Sequence, residues 1–371
     1  MINKSNNKVF VGMSGGVDSS VSAALLKHQG YDVTGIFIKV WQPDWIECNW
    51  REERYEAMRV AAHLDIPFVT LDLEKEYKEG VIDYMIAEYS IGRTPNPDVM
   101  CNREVKFGAF WKWAKGQGAE FVATGHYAQV EKSVTSNQKT EFRVFAGIDK
   151  NKDQSYFLWT LNQDDLKHIL FPVGHLEKPE VRKLAKKFKL QNSDKKDSQG
   201  LCFIGKIDVK DFLAHYIKTE KGNVLNEKGE IIGTHNGALL LTIGERHGFT
   251  IDPKFKTAHD EAYYVVSKDV KGNTVMVSNK KLGVGSQELG ESSKQEIKIS
   301  RVNWACVVPK VGESIQIRVR YRQALTPAVI KSINGSNAVI FSEREVDAVT
   351  PGQSLVMYKG EECLGGGIID N

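Results

Sequence analysis

The stretch Gly12-Met13-Ser14-Gly15-Gly16-Val17-Asp18-Ser19-Ser20 constrains the fold more than any other part of the 371-residue chain. It lies where an apolar run, 9–13, gives way to a segment of helical spacing, 18–29. In that segment Val21, Ala24, Leu25 and His28 recur on one face, and Gly30 provides a stop. Adjacent glycines between a strand and a helix let backbone N–H groups approach a ligand closely. The helix start adds unsatisfied donors and a positive dipole end, so the turn suits phosphate. Ser14, Ser19 and Ser20 offer hydroxyl donors as well. The stretch is not a Walker A loop, because the Gly-Lys-Ser/Thr ending is missing, and it is not the dinucleotide Gly-x-Gly-x-x-Gly. The blander alternative is an ordinary Ser/Gly-rich turn with Asp18 as helix cap.

The segments that follow alternate. Strand-like runs at 33–40, 68–73 and 121–124 are interleaved with helical patterns at 52–64, 77–91 and 107–115. This predicts a parallel sheet covered on both faces, with ligands outside the carboxyl ends of its strands. Further helical patterns occupy 163–170 and 179–189, and the texture changes near 208. One short helix at 209–218 precedes turn signals and β runs at 262–267, 274–278, 315–321 and 338–341. The expected fold is therefore α/β: a Rossmann-like parallel-sheet domain, a small mixed central domain and a C-terminal β-barrel. The boundaries are expected at 1–208, 209–290 and 291–371.

Composition narrows the setting. Fifty Lys and Arg against 47 Asp and Glu leave a net charge of +3, so any nucleic-acid surface must be local. No apolar run approaches the roughly 18 residues of a membrane helix, and the polar start at 1–8 predicts no signal peptide. The five cysteines, Cys48, Cys101, Cys202, Cys306 and Cys363, include no Cys-x-x-Cys pair. That excludes a zinc ribbon and a thioredoxin-type pair, and it predicts no metal site and a reducing cytoplasm.

Cys101 follows the breaker-rich stretch 92–98 and precedes a helix, with Arg103 and Lys106 close by, which should favour its thiolate. Asp98 is a candidate acid or base on the same side of the turn. Cys202 stands between Gly200 and Gly205, downstream of Lys195 and Lys196. Spacing alone does not bring Cys101 and Cys202 together, and a lone cysteine is more often a buried, inert residue.

The heptad Ser14–Ser20 resembles the PP-loop of ATP pyrophosphatases, which grips ATP while its α-phosphate is attacked. With it, Asn96-Pro97-Asp98-x-x-Cys101-Asn102 and Asp197-Ser198-x-Gly200-x-Cys202-Phe203-Ile204-Gly205 resemble the bacterial tRNA-specific 2-thiouridylase family. Thr124-Gly125-His126-Tyr127-Ala128, Lys152-Asp153-Gln154-Ser155-Tyr156-Phe157, Arg320-Tyr321-Arg322 and Thr350-Pro351-Gly352-Gln353 extend the likeness along nearly the whole chain. The one departure is Glu245, where glutamine is expected; it lies outside the residues assigned to chemistry.

The resemblance implies an ATP-dependent exchange of the C2 oxygen of a wobble uridine for sulfur. It implies an ATP site at Gly12, Met13, Ser14, Gly15, Gly16, Val17, Asp18, Ser19, Ile38 and Gly125, with Mg2+ on the phosphates. Cys101 would be the nucleophile and Cys202 the persulfide carrier, supplied by a cysteine desulfurase or a sulfur-relay protein. tRNA contacts would fall on Asn96, Pro97, Asp98, His126, Lys152, Asp153, Gln154, Arg320, Tyr321 and Gln353.

Two basic stretches bear on tRNA. Arg182, Lys183, Lys186, Lys187, Lys189, Lys195 and Lys196 surround a single acid, Asp194. Arg318, Arg320 and Arg322 would share one strand face while Ile317, Val319 and Tyr321 point the other way. Both could equally be solvated faces. The phosphate loop is expected to lie apart from them. Two rival functions remain at this level. Another PP-loop ligase or amidotransferase-type synthetase acting on a small metabolite would leave the cysteines idle. A non-catalytic RNA-binding protein would leave the loop idle.

Overall fold

The computed structural model describes residues 7–45, 50–134, 138–196, 208–255, 262–279 and 295–370. The first domain is built on a five-stranded parallel sheet. Its strands are β1 (Lys8–Gly12), β2 (Asp32–Lys39), β3 (Phe68–Asp72) and β4 (Phe121–Ala123), with the short strand Ile169–Leu170 beside β4. The order places β1 and β2 in the middle, which is why their runs are nearly all buried. Helices α1 (Val17–His28) and α2 (Trp50–His63) pack with Lys178–Lys187 over one face, burying Val21, Ala57, Val60 and Val181. The other face is covered by a larger core of Tyr77, Met85, Val105, Phe110 and Trp159.

The helix expected at 107–115 begins earlier. Asn96 caps it by accepting from Val99 N, Pro97 occupies its first turn, and helical structure continues through Pro97–Met100, Cys101–Ala109 and Phe110–Gly116. The helix expected at 163–170 is shorter, Gln163–Leu166, and its end becomes the sheet-edge strand.

The central domain is a five-stranded sheet preceded by the helix Val209–Ala214. Its strands are Gly222–Leu225, Ile231–His235, Phe249–Ile251, Tyr264–Asp269 and Thr274–Ser278. The C-terminal domain is a closed barrel of six strands: Gln295–Trp304, Ser314–Arg318, Thr326–Asn334, Asn337–Ser342, Ser354–Lys359 and Glu362–Ile369. Closure comes from the pairing of the first with the last of them.

A hairpin of the first domain, Ala128–Val134 with Thr140–Ala146, was not foreseen in the sequence. It extends the barrel sheet by pairing Val144 with Cys363 and Phe145 with Glu362. Side chains strengthen the same seam. The Tyr156 hydroxyl donates to Val319 O at 3.1 Å or Ser354 O at 3.0 Å, and Asn303 Nδ2 donates to Trp159 O and Leu161 O at 2.8 and 2.9 Å. Tyr156→Phe removes the one donor that Val319 O and Ser354 O share, so it is expected to cost about 1–3 kcal/mol. Thermal unfolding of the variant checks this.

Candidate active site

The glycine-rich turn stands at the carboxyl end of β1. Met13 N donates to Ile36 O at 2.7 Å, which fixes the turn to the neighbouring strand. Gly15 has φ +74°, and a Cβ there would lie 2.6 Å from Glu53 O, so this position requires glycine. The hydroxyls brace the turn: Ser14 N donates to Ser19 Oγ at 3.3 Å, and Ser20 Oγ donates to Gly16 O at 2.8 Å. Gly16, not Asp18, is the cap residue, and no side chain caps α1. The first helical amides are thus left to an anion, where the dipole favours one. From β4, Gly125 comes so close that a Cβ on it would lie 2.7 Å from Ser19 N. Ile38 is buried in β2 among core side chains.

Asp18, in the first turn of α1, has two partners far away in sequence. Lys178 Nζ lies 2.7 and 2.9 Å from its two carboxylate oxygens, and the Tyr127 hydroxyl donates to Oδ1 at 2.8 Å. Asn192 Nδ2 donates to Gly15 O and Ser20 Oγ, both at 2.9 Å. Lys195 reaches Gly15 O at 3.5 Å and pairs with Glu56. The expected separation between the phosphate loop and the 182–196 stretch is therefore corrected, because the end of that stretch closes over the loop. Arg182 is also turned inward, onto Ser193 O and Lys195 O, whereas Lys183, Lys187 and Lys189 remain exposed. Sequence reading missed Lys178 and Asn192; the Lys-Pro pair that opens Lys178–Lys187 was the available signal.

Cys101 lies one turn inside its helix with 0% exposure, packed with Val99, Met100 and Val105. It does not stand at the helix start, as the sequence suggested. The loop before it is held by the barrel. Gln353 Nε2 donates to Thr94 O or Pro95 O at 3.0 and 3.1 Å, and Thr94 N donates to Pro351 O at 2.8 Å. Asn96, Pro97, Asp98 and Gln353 are thus brought together. Cys202 and Cys48 lie outside the described residues. Cys306 and Cys363 carry thiols pushed up to about 11 and about 12, in each case first by burial.

Several expected tRNA contacts face inward. His126 is 7% exposed, its Nδ1 hydrogen-bonds Thr124 Oγ1 at 2.7 Å, and burial holds its imidazole well below the usual range. Asp153 is 3% exposed and pairs with Arg318 at 3.4 Å; Gln154 clasps the backbone of Tyr127. Lys152 is half-buried. The arginine row is corrected as well. The strand ends at Arg318, because Gln323 Oε1 accepts from Val319 N and Arg320 N, and Arg322 adopts φ +64°. Val319 is buried as expected, but Arg320 donates to Ile243 O at 2.9 Å and Thr350 Oγ1 at 3.0 Å. Arg322 alone of the three is exposed, its guanidinium 5.0 Å from the Tyr321 ring.

Arg320 also lines a cavity of about 490 Å³ where the three domains meet, with Tyr89, Thr94, Lys210, Thr242 and Glu245. Glu245 pairs there with Lys210 at 2.5 Å. It therefore lines the same cavity as Arg320, one of the residues expected at the tRNA. Among the described residues no cluster of three metal-ligating side chains occurs, and no helix is long and apolar enough to cross a membrane.

Three family models match in succession: the tRNA methyl transferase HUP domain over residues 7–206, the tRNA methyl transferase PRC-barrel domain over 210–279 and the aminomethyltransferase beta-barrel domain over 294–369. The chain is 44% identical to the tRNA-specific 2-thiouridylase MnmA of Enterococcus faecalis, covering 100% of this chain and 97% of that protein. It is 45% identical to the protein of the same name from Listeria monocytogenes, over 99% and 96% respectively. Among solved structures, the U34-tRNA thiolase NcsA of Methanococcus maripaludis with its 4Fe-4S cluster aligns over 52% of this chain and 60% of that one. Its identity is 17% and its TM-score 0.34, too remote to bear on the site.

Proposed function

Since the chain belongs to the tRNA-specific 2-thiouridylase family and is an enzyme of tRNA thiolation, we propose that it activates the C2 oxygen of a wobble uridine with ATP and exchanges it for cysteine-borne sulfur. The C2 carbonyl is a poor electrophile because oxide is a bad leaving group. ATP, when bound, supplies the adenylyl group that lets this oxygen depart within AMP, after pyrophosphate has left. The observation that carries the reading is the start of α1 beside Gly15 and Gly125: no side chain caps its first amides, and neither glycine has space for a Cβ. Gly12, Met13, Ser14, Gly16, Val17, Asp18, Ser19 and Ile38 complete the nucleotide site in this reading. Magnesium belongs on the triphosphate.

Cys202 carries sulfur as a persulfide received from a cysteine desulfurase or a relay protein. Two balanced routes lead to product. In one, the terminal sulfur displaces AMP at C2, and the Cys101 thiolate then attacks Cys202 Sγ, freeing the thiocarbonyl. In the other, Cys101 attacks Cys202 Sγ first and releases hydrosulfide, which displaces AMP. Either way a Cys101–Cys202 disulfide forms and an external thiol must reduce it. Asp98 is the acid/base candidate. tRNA reaches Asn96, Pro97 and Asp98, the 152–154 segment, Tyr321 and the rim of the three-domain seam. Contact at His126, Arg320 or Gln353 requires their present partners to yield. The domains divide the work at about 208 and 290, in the cytoplasm where tRNA is modified.

Incubation with ATP, a sulfide source and bulk tRNA tests the whole reading. 2-Thiouridine and AMP should appear in equal amounts; AMP with a metabolite product, or neither, would overturn it. The surface is tested separately. Arg322→Ala is expected to weaken tRNA binding and to lower the slope of log K against log salt by about one. An unchanged slope in filter binding would remove Arg322 from the interface.

A further inference from the structure

Both partners of Asp18 are fastened to one loop. Tyr127 N donates to Gln154 Oε1 at 3.0 Å, and Gln154 N donates to Tyr127 O at 2.8 Å. Lys178 N donates to Asp149 Oδ2 at 3.0 Å. The other oxygen of Asp149 accepts from Asn151 N and Lys152 N at 3.0 and 3.2 Å, so this carboxylate shapes the loop that carries residues 152–154. The far end of the loop is equally fixed: Asp153 Oδ1 accepts from Gly147 N and Ser155 N at 3.1 and 3.0 Å. Two short arms therefore run from the 149–154 loop to the phosphate loop, one through Gln154 and Tyr127 and one through Asp149 and Lys178, and they converge on a single carboxylate.

That carboxylate stands where it matters. A negative charge in the first turn of α1 repels a triphosphate held by the same helix start, unless a cation offsets it. Lys178 is that cation. Its side chain is 11% exposed, so its reach depends on where its backbone is held. A contiguous hydrogen-bonded network of this kind can transmit position between two sites.

We propose that Lys178 and Tyr127 are positioning residues for Asp18, and that through them tRNA on the 149–154 loop and ATP on the phosphate loop bind with positive coupling. The proposal rests on the assignment of 152–154 to tRNA and of Gly12–Ser19 to ATP. A tRNA backbone on Lys152 holds the loop, the loop holds Tyr127 and the Lys178 backbone, and these hold Asp18 neutralised and turned from the phosphates. ATP is then gripped tightly only when its acceptor is present, which limits idle hydrolysis.

The test is a linkage measurement on the full chain. The affinity of the α,β-methylene analogue of ATP is measured by calorimetry with and without saturating tRNA carrying an unmodified wobble uridine. In the wild type, tRNA is expected to tighten the analogue at least about fivefold, and the analogue must tighten tRNA by the same factor. In Tyr127→Phe and Lys178→Met the factor should fall below about two while tRNA affinity alone is kept. Lys178→Arg, which retains the ion pair, should retain it. Tyr127→Phe removes one hydroxyl, so it decides the matter if Lys178→Met does not fold. A wild-type factor of one, or Tyr127→Phe with the wild-type factor, overturns the coupling. A wild-type protein that binds neither analogue nor tRNA would instead overturn the proposed function.

Discussion

Cys101→Ser is expected to leave 2-thiouridine formation below roughly a thousandth of the wild-type rate. Both routes to product require a thiolate to attack the Cys202 persulfide, and a serine hydroxyl near neutral pH is a feeble nucleophile toward sulfur. The loss should be chemical rather than structural. Cys101 is wholly buried among Val99, Met100 and Val105, and its neighbour Asn102 is tied to Phe157 O at 3.0 Å. A hydroxyl in place of the thiol at this buried position costs at most about 1–3 kcal/mol, which a chain of this size should survive. ATP and tRNA affinities should therefore stay within about threefold of wild type. Cys202→Ser should behave alike. Wild-type enzyme after turnover without reductant should yield a Cys101–Cys202 disulfide on peptide mapping, which demands Cα atoms within about 7 Å at that stage. Because Cys101 is buried, the attack needs its surroundings to open. Thiolation by Cys202→Ser with a protein persulfide donor would end the carrier role. Thiolation restored by free sulfide alone would leave that role intact, since sulfide bypasses the persulfide.

The two halves of this site were unequally legible in the sequence. The phosphate loop could be read because its causes are local: a strand, two glycines that permit close approach, and a helix start, all within Lys8–Gly12 and the residues to Ser20. The side chains that brace it could not. Tyr127, Lys178 and Asn192 come 109, 160 and 172 residues away from their partners Asp18 and Ser20, and nothing in local pattern encodes such distances. The arginine row failed for a different reason. Alternation from Ile317 to Arg322 predicts a strand, but the side-chain amide of the next residue, Gln323, takes the hydrogens of Val319 and Arg320 and turns the chain. Period-two patterning is blind to such a competitor. The hairpin at Ala128–Val134 and Thr140–Ala146 escaped because its faces are half-exposed and its pairing with the barrel spans more than two hundred positions in the numbering, Val144 to Cys363.

Gly125→Ala is expected to lower ATP-dependent AMP formation by about a hundredfold while tRNA binding persists. The added methyl would lie 2.7 Å from Ser19 N, 2.8 Å from Asp18 C and 3.0 Å from Asp18 Cβ. The first two are backbone atoms at the start of α1, so the clash cannot be relieved by rotating a side chain. Either α1 shifts or the turn after β4 retreats. A shift of α1 misaims the free amides that would hold phosphate; a retreat drags Tyr127, two residues on, away from Asp18. Holding of a phosphoryl group is steep in distance, and a displacement of about 1 Å, the scale on which a backbone clash this close must be relieved, is enough to cost about two orders of magnitude. Gly116→Ala is the matched control, because a Cβ at that helix end meets nothing within 4 Å. Radiolabelled ATP with excess tRNA reads AMP in both variants, and tRNA affinity is measured alongside. A Gly125→Ala enzyme that forms AMP as fast as the Gly116→Ala control would place the nucleotide somewhere other than the start of α1.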